Sequence, residues 1–293
     1  MRSKLFVPGV RPELFAKAYA GAADAVSFDL EDAVAESRKS EARAAVAGFL
    51  AAQPAAAVGK LSIVRTNASD SAHFQADLDA IVPAAPDLLN IPKIESAEHV
   101  HAVVSMLERL ERSLGLSPGA RLLLNIETPR GLRHAADIAT AHPRVAGLQL
   151  GLGDLFEPYG IDRGEPEHLR AVMFPLAMAA AEAGVFVCDG AYANLDDDAG
   201  FEREARMAQR LGFIGKSCIH PRQIALAHAV FSVDPQALAL AREIVAAAGQ
   251  AAQDSRAVFV VAGRMIDAPY LRRAQRLVEF ADRRDPSPAD PAA

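Results

Sequence analysis

Two carboxylates in the middle of the chain each follow an apolar, strand-like run. Leu122–Ile126 is followed by Glu127, and Val145–Leu150 leads through a short glycine-containing loop to Asp154. If the two runs are neighbouring parallel strands, both carboxylates emerge at the same rim of one sheet. Two carboxylates that face one space suit a hard cation such as Mg²⁺, which keeps water or substrate oxygens as its other ligands. The alternative is two unrelated rim carboxylates, one of which caps the helix that follows it.

A third strand-like run ends on a basic residue, Arg65. An arginine at a strand end can offer a two-pronged hydrogen bond to a carboxylate or a thioester oxygen. The alternative is an ion pair with the acidic run that contains Asp29, Glu31 and Asp32. Both can hold, because such a pair would orient the guanidinium. Some of these carboxylates would then hold metal-bound water or Arg65 without binding the metal themselves. Lys93 is a weaker candidate for substrate binding.

Other residues near the strand ends are less specific. Gly153 would let the backbone come close to a ligand. Lys216 would act as a Schiff-base lysine only in an apolar, desolvated pocket. The candidate metal site and the several carboxylates favour a metal-dependent route instead. His220 is interpreted as a structural residue at a helix start. The sequence contains no GxGxxG, Walker or GxSxG motif, which argues against nucleotide-binding and hydrolase classes.

The elements that must position these side chains follow one repeat, in which a short apolar run, a polar residue and an alanine-rich helical stretch alternate. Strict alternation predicts parallel strands with helical crossovers. Eight such units within about 230 residues predict an α/β fold, a (β/α)8 TIM barrel, with a doubly wound open sheet as the alternative. The predicted strands are Ser3–Val7, Ala25–Phe28, Leu61–Val64, Leu88–Ile91, Leu122–Ile126, Val145–Leu150, Val185–Cys188 and Phe213–Ile214.

The repeat stops near Phe231, so we predict a barrel domain over 1–230 and a C-terminal helical extension over 231–283. Asp234 is expected to cap the first helix of the extension. A short β-prone piece lies at Val258–Val261. The extension could form a lid over the barrel mouth of its own subunit or of a neighbour. The final residues, 284–293, are rich in Pro, Asp and Ala and are predicted to be disordered.

Composition narrows the function classes. The 293 residues are 51% hydrophobic and 23% charged, and the net charge is −6. No basic run and no Trp are present, which argues against nucleic-acid binding. Cys188 and Cys218 are expected to be buried free thiols in a reducing compartment. The apolar stretch at the start of the sequence is too short for a signal peptide, and no apolar run reaches the length of a membrane span. A soluble, cytoplasmic protein is predicted.

Seven motifs follow one another along the chain. They lie at Arg2–Gly9, Phe28–Val34, Val64–Asn67, Pro92–Ser96, Ile126–Thr128, Gly153–Leu155 and Gly215–Pro221. Together they resemble the citrate lyase β-subunit-like (CitE-like) CoA-ester lyases of the HpcH/HpaI aldolase superfamily. The resemblance runs from residue 2 to about residue 280. The motifs are specific for the family and less specific for the substrate.

The resemblance implies a (β/α)8 barrel that cleaves or forms carbon–carbon bonds beside an acyl-CoA thioester, with Mg²⁺ as cofactor and Mn²⁺ as an alternative. Glu127 and Asp154 match the family's metal ligands, and Arg65 matches its substrate-binding arginine. Asp267 matches a catalytic acid/base that a neighbouring subunit delivers in the malyl-CoA and citramalyl-CoA lyases. A homo-oligomer, a trimer or a multiple of three, is therefore expected. Citrate lyase β subunits tend to be shorter around Asp267, which favours a free-standing lyase.

The expected reaction is cleavage, or formation, of a 3-hydroxyacyl-CoA such as malyl-CoA or citramalyl-CoA, giving an acyl-CoA and glyoxylate or pyruvate. The alternatives are a citrate lyase β subunit, a CoA-independent 2-oxoacid aldolase, a malyl-CoA thioesterase and a non-enzymatic scaffold. Two stretches depart from the family pattern, Leu169–Leu176 and Asp189–Asn194. Pro175 lies inside the first and predicts a kink or break in its helix. These departures leave the substrate open.

Overall fold

The computed structural model describes residues 1–53, 58–253 and 256–282. Contacts within the chain group it into two compact units, Met1–Phe231 and Ser232–Ala293. The predicted disorder of 284–293 falls outside the described residues.

Eight parallel strands form the sheet of the first unit, and strands that follow one another in sequence are neighbours. The order around the sheet is β7-β6-β5-β4-β3-β2-β1-β8. The predicted eight-unit barrel is thereby confirmed. The strands are β1 (Ser3–Pro8), β2 (Ala25–Asp29), β3 (Leu61–Arg65), β4 (Leu88–Ile91), β5 (Arg121–Ile126), β6 (Val145–Leu150), β7 (Phe186–Cys188) and β8 (Lys216–Cys218).

The ring closes between β7 and β8 through a short seam. A single parallel bridge joins Asp189, which follows β7, to Lys216, which begins β8. The Asp189 N–H donates to the Gly215 carbonyl at 2.8 Å, and the Ser217 N–H donates to the Asp189 carbonyl at 3.0 Å. These bonds complete the barrel, so the open-sheet alternative does not hold.

The eighth strand lies later than predicted. The apolar pair Phe213–Ile214 was expected to form it, whereas the strand is Lys216–Cys218. Lys216 is buried although it is charged, because its ammonium binds Asp189 and Glu204. A charged residue at the start of a strand broke the apolar pattern on which the prediction depended. Lys216 therefore begins its strand and does not lie at a strand end.

Helices follow the strands around the unit. A kink or break was predicted at Pro175, and the break is absent, because the helix continues from Pro166 to Ala183. Pro175 and Ala171, whose carbonyl loses its donor, are both exposed, so water can satisfy that carbonyl. The stretch predicted as one helix after β5 is two short helices that meet at His134. The helices are α1 (Phe15–Ala20), α2 (Lys39–Ala52), α3 (Phe74–Ile81), α4 (Ala97–Leu114), α5 (Pro129–Arg133), α6 (Ala135–Thr140), α7 (Leu152–Phe156), α8 (Pro166–Ala183), α9 (Asp198–Arg210) and α10 (Arg222–Phe231).

Side chains alternate along each strand between the helical layer and the barrel interior. Most of the hydrophobic core lies between strands and helices. The interior holds a separate small apolar cluster, which includes Ala25, Ile63 and Leu123. Toward the carboxyl ends of the strands the interior becomes polar, and its buried members include Lys4, Ser27, Asn90, Asn125, Gln149 and Ser217. We call these six residues the polar layer.

The second unit consists of α11 (Pro235–Gln253), β9 (Phe259–Val261), β10 (Arg264–Ile266) and α12 (Ala268–Asp282). Asp234 caps α11 as predicted, since its Oδ1 accepts from the Gln236 N–H at 3.0 Å. β9 and β10 form an antiparallel hairpin, whereas only its first strand was predicted. Its turn has positive φ at Ala262 (47°) and Gly263 (73°), as a two-residue hairpin turn requires.

One apolar stretch among the described residues, Arg222–Gln253, passes a length and composition test for a membrane span. The expectation that no stretch reaches this length is wrong by that measure. The finding is weak evidence for a membrane, because the stretch is two helices, α10 and α11, separated by non-helical residues 232–234.

Candidate functional site

Glu127 follows β5 at the barrel mouth and is almost completely buried, with 2% of its surface exposed. Its Oε1 accepts from the Lys93 backbone N–H at 2.8 Å, and its Oε2 accepts from Asn125 Nδ2 at 3.1 Å. A Cβ at Gly151 would lie 2.4 Å from the Glu127 Cβ. The absence of a side chain at Gly151 therefore makes room for this carboxylate.

The helix after Glu127 is capped without its help. Thr128 is the N-cap of α5, and its Oγ1 accepts from the Gly131 N–H at 3.0 Å. Pro129 occupies the first helical position, where no backbone donor is needed. The alternative in which Glu127 serves as the helix cap is therefore wrong, and the carboxylate is left for another role.

Asp154 follows β6 in the first turn of α7 and is exposed. Burial raises the pKa of Glu127 to about 7, and the nearby charges of Glu31 and Asp154 add to the effect. A site that concentrates so much negative charge favours a cation. Within the described residues no three His, Cys, Asp or Glu side chains form a ready metal cage. Glu127 and Asp154 fit a Mg²⁺ that completes its coordination with water and substrate oxygens.

Arg65 ends β3 and is held by the three carboxylates of the acidic run. Its Nε and Nη2 each donate to Asp29 at 2.7 Å, and its Nη1 lies 3.0 Å from Glu31 and 3.1 Å from Asp32. The guanidinium also lies 5.1 Å from the ring centre of Phe6. Burial alone would lower the pKa of Arg65, but the three carboxylates hold it above its ordinary value. The arginine is permanently charged and fixed in orientation.

The acidic run thus serves Arg65 directly. Asp29 also accepts from the backbone N–H groups of Glu31 and Ala33, both at 3.0 Å. Burial would raise the pKa of Asp29, but Arg65 and these bonds keep it below its ordinary value. Burial raises the pKa of Glu31 although Arg65 and Lys93 oppose the rise. The ion pair that was one alternative for Arg65 is therefore present.

Lys93 connects the acidic run to Glu127. Its backbone has a positive φ of 54°, which is uncommon for a residue with a side chain. This conformation accompanies the bond from its N–H to Glu127, while its Nζ donates to Glu31 at 3.0 Å. Strained backbone of this kind concentrates at functional sites. Lys93 therefore both orients a metal-ligand candidate and places an ammonium at the mouth.

Three other residues predicted to act in the site lie in different surroundings. Gly153 lies exposed in α7, and a Cβ added to it would meet open space, so no contact requires glycine there and its part in substrate binding stays a prediction. Asp267 belongs to the second unit, where its Oδ1 accepts from the Tyr270 N–H at 3.4 Å at the start of α12. Its catalytic role stays a prediction. Lys216 is enclosed by Asp189 and Glu204, which excludes the Schiff-base alternative in this arrangement.

Sequence reasoning missed the buried polar side chains beneath the site, above all Lys4, Asn90 and Asn125. Each interrupts an apolar strand, and Asn125 lies two residues before Glu127 and therefore on the same face of β5. A polar residue at an inward position of a barrel strand was the available signal. The partners of these residues come from other strands and could not be inferred from the chain.

Several known enzymes have sequences similar to that of this chain. The citrate lyase subunit beta of Escherichia coli is 36% identical over 96% of this chain and 93% of that protein. A (3S)-malyl-CoA thioesterase of Cereibacter sphaeroides is 36% identical over 80% and 78%. An L-malyl-CoA/beta-methylmalyl-CoA lyase of the same species is 32% identical over 96% and 94%. Because the E. coli alignment spans nearly the whole chain, the length of the C-terminal segment does not separate these classes.

A similar protein has been solved together with its ligands. CitE of Mycobacterium tuberculosis, in complex with magnesium, acetoacetate and coenzyme A, is 32% identical over 96% of this chain and 99% of that chain, with a TM-score of 0.72. Residues 2–221 match the family described as HpcH/HpaI aldolase/citrate lyase. The barrel, the carboxylate pair at its mouth and these similarities agree: the chain belongs to the HpcH/HpaI aldolase/citrate lyase family, whose lyases use Mg²⁺.

Proposed function

We propose that the protein is a Mg²⁺-dependent lyase that breaks, or in reverse forms, a carbon–carbon bond in a 3-hydroxyacyl-CoA such as malyl-CoA or citramalyl-CoA. The observation that carries the proposal is the pairing of a buried carboxylate, Glu127, with Asp154 beside the fixed cation of Arg65. A metal site next to a permanent positive charge suits a substrate that carries a carboxylate and a thioester. The similarity to a malyl-CoA lyase supports the substrate class.

Glu127 and Asp154 would hold the metal. When bound, Mg²⁺ supplies Lewis-acid polarisation of the substrate's hydroxyl and carboxylate oxygens. In the cleavage direction the hydroxyl gives its proton to solvent water, and the bond between the hydroxyl-bearing carbon and the carbon next to the thioester breaks. Its electron pair passes to the thioester as an enolate, and the hydroxyl-bearing fragment leaves as a 2-oxoacid. Arg65 would bind the carboxylate or stabilise the enolate oxygen as charge develops there.

Asp267 would donate a proton to the enolate carbon, and this protonation gives the acyl-CoA product. The same residue would take that proton back in the synthetic direction. We propose that it comes from a neighbouring subunit of a homo-oligomer, a trimer or a multiple of three. We also retain the cytoplasmic location as a prediction.

Two other reactions remain candidates on specific grounds. A citrate lyase β subunit, which would act on a citryl group carried by a protein, is supported by 36% identity over 93% of the E. coli subunit. A thioesterase is supported by the similarity to a (3S)-malyl-CoA thioesterase. The three reactions release different products, namely 2-oxoacid with acyl-CoA, 2-oxoacid with an acyl carrier, and free CoA.

The test is a panel of hydroxyacyl-CoA esters with Mg²⁺, in which 2-oxoacid and free CoA are measured separately. We expect 2-oxoacid release by the unmodified protein and its loss in Glu127→Ala and Asp154→Ala, because each variant removes one metal ligand. Circular dichroism would establish that both variants are folded. Full activity of either variant in the presence of EDTA would contradict the mechanism, and release of CoA without 2-oxoacid would identify the thioesterase.

A further inference from the structure

The basic side chain of Lys4 is enclosed in the barrel interior. It is 1% exposed, its Nζ donates to Asn90 Oδ1 at 3.3 Å, and the Nζ lies 4.4 Å from the ring centre of Phe6. It forms no ion pair with a carboxylate of the described residues. Burial lowers the pKa of Lys4 to about 7. Enclosing a lysine without a carboxylate partner costs stability, so its place calls for a functional explanation.

A line of hydrogen bonds joins Lys4 to the candidate metal ligand. Asn90 Nδ2 donates to Asn125 Oδ1 at 2.6 Å and to the Leu123 carbonyl at 3.0 Å. Asn125 Nδ2 in turn donates to Glu127 Oε2 at 3.1 Å. The ammonium form of Lys4 has only donors and the ionised form of Glu127 has only acceptors, so between these two forms both amides have a single permitted orientation.

We propose that Lys4 is a positioning residue for Glu127 and acts through Asn90 and Asn125. The proposal rests on the metal role of Glu127 proposed above. The donor at one end keeps Asn90 from turning its oxygen toward Asn125, and Asn125 then presents an N–H, not an oxygen, to Glu127. The carboxylate is thereby held on Oε2 from below and on Oε1 by the Lys93 N–H.

The effect of Lys4 should be partial. The Leu123 carbonyl supports the same orientation of Asn90, so loss of Lys4 weakens the preference without abolishing it. Partners that orient a metal ligand typically change metal affinity by roughly 10–100-fold when removed. We therefore expect a change at the lower end of that range for Lys4 and a larger one for Asn125, which touches Glu127 itself.

The experiment measures Mn²⁺ affinity by the electron paramagnetic resonance signal of the free ion, with Mg²⁺ as competitor. The variants are Lys4→Met, Asn125→Leu and the double variant. We expect Lys4→Met to bind Mn²⁺ roughly tenfold more weakly. The double variant should bind no more weakly than Asn125→Leu alone, because Lys4 acts through Asn125.

Ser27→Ala is the matched control. Ser27 belongs to the same polar layer, is fully buried, and its hydroxyl has no hydrogen-bond partner among the described residues. Its variant should bind Mn²⁺ as the unmodified protein does. If Lys4→Met does not fold, Asn90→Leu interrupts the same line without removing the lysine and should lower the affinity at least as much as is expected for Lys4→Met.

The outcomes separate this proposal from the proposed function. Unchanged Mn²⁺ affinity in folded Lys4→Met, with affinity lost in Glu127→Ala, would overturn the role of Lys4 and leave the metal site standing. Equal additional losses from Lys4→Met with and without Asn125→Leu would show that Lys4 does not act through Asn125. An unmodified protein that binds neither Mn²⁺ nor Mg²⁺ would overturn the metal site and, with it, this proposal.

Discussion

Glu127 depends on the small size of the residue opposite it. A Cβ at Gly151 would lie 2.4 Å from both the Cβ and Oε2 of Glu127, far closer than real contacts allow. We expect Gly151→Ala to displace the carboxylate and weaken Mn²⁺ binding roughly 10–100-fold. Gly153→Ala, two residues away, is the matched control, because a Cβ there meets no atom within 4 Å. Equal affinities of the two variants would show that this packing does not set the site.

The protonation of Glu127 predicts how metal binding responds to pH. Burial, with Glu31 and Asp154, raises the pKa of Glu127 to about 7, so without metal this carboxyl is neutral below that pH and charged above it. A cation competes with the proton, and we expect Mn²⁺ affinity to fall by about tenfold per pH unit below the pKa and to level off above it. Titrations from about pH 5.5 to about pH 8.5 would measure this.

The control for that titration is Glu127→Gln, which should bind weakly at every pH because it carries no charge to gain. An affinity that is constant over the same range in the unmodified protein would show that Glu127 is not the group that competes with protons.

Part of the site was predictable from residue types. Glu127, Asp154 and Arg65 each lie at or just after the end of a strand, and strand ends of parallel barrels share one rim, so their proximity followed from the pattern. The contribution of Gly151 and of Lys4 did not follow. Both act through distances between residues far apart in sequence, and those distances depend on the stagger of the strands, which apolar patterning does not specify.

At the level of elements, the seam between β7 and β8 is held by buried charge. Lys216 Nζ lies 2.6 Å from Asp189 Oδ2 and also binds Glu204 of α9, which Arg163 pairs from the other side. Burial alone would lower the pKa of Lys216, but Asp189 and Glu204 raise it above its ordinary value. Two strands of three residues each are thus tied to each other and to their helix by one ammonium.

We expect Lys216→Met to lower the free energy of unfolding by about 3–5 kcal/mol, because Asp189 and Glu204 would remain buried without their cation. Urea unfolding would measure the change. Arg206→Ala is the control, since it removes an ion pair with Glu202 at the surface. The Arg206 side chain is 51% exposed and the Glu202 side chain is 36% exposed. Such a pair contributes less than about 1 kcal/mol. Equal stability of the two variants would contradict a structural role for the buried cluster.

The same cluster explains where element prediction failed. The first seven strands were recognised as apolar runs that end on polar residues, and most of their bounds lie within one residue of those predicted. The eighth was not, because Lys216 and Ser217 are polar and their burial depends on partners on β6, at the end of β7 and on α9. The apolar pattern of a sequence indicates burial only where the buried side chains are apolar. It therefore does not identify a strand that ion pairs stabilise.

For the whole molecule, the proposed delivery of Asp267 by a neighbouring subunit predicts the behaviour of mixed oligomers. If another subunit supplies it, mixed oligomers of two inactive variants, Asp154→Asn and Asp267→Asn, should regain activity. Random mixing would leave roughly a quarter of the sites with both residues intact. Co-expression followed by the 2-oxoacid assay would measure this recovery.

The control for that mixture is the double variant co-expressed with Asp267→Asn, which cannot form a complete site. Activity in the mixture that stays at the level of this control would show that Asp267 does not act between subunits.

The uneven pairing around the barrel also implies an order in which it loosens. β5 and β6 are paired along five positions, whereas β7 and β8 meet at a single bridge. Local opening begins where the fewest backbone bonds must break, so amide hydrogen exchange should be fastest at the seam, at Asp189 and Ser217, and slowest near Leu124. The mouth of the barrel would then open transiently on the side of β7 and β8, while the firmly paired β5 and β6 hold the two metal-ligand candidates in place.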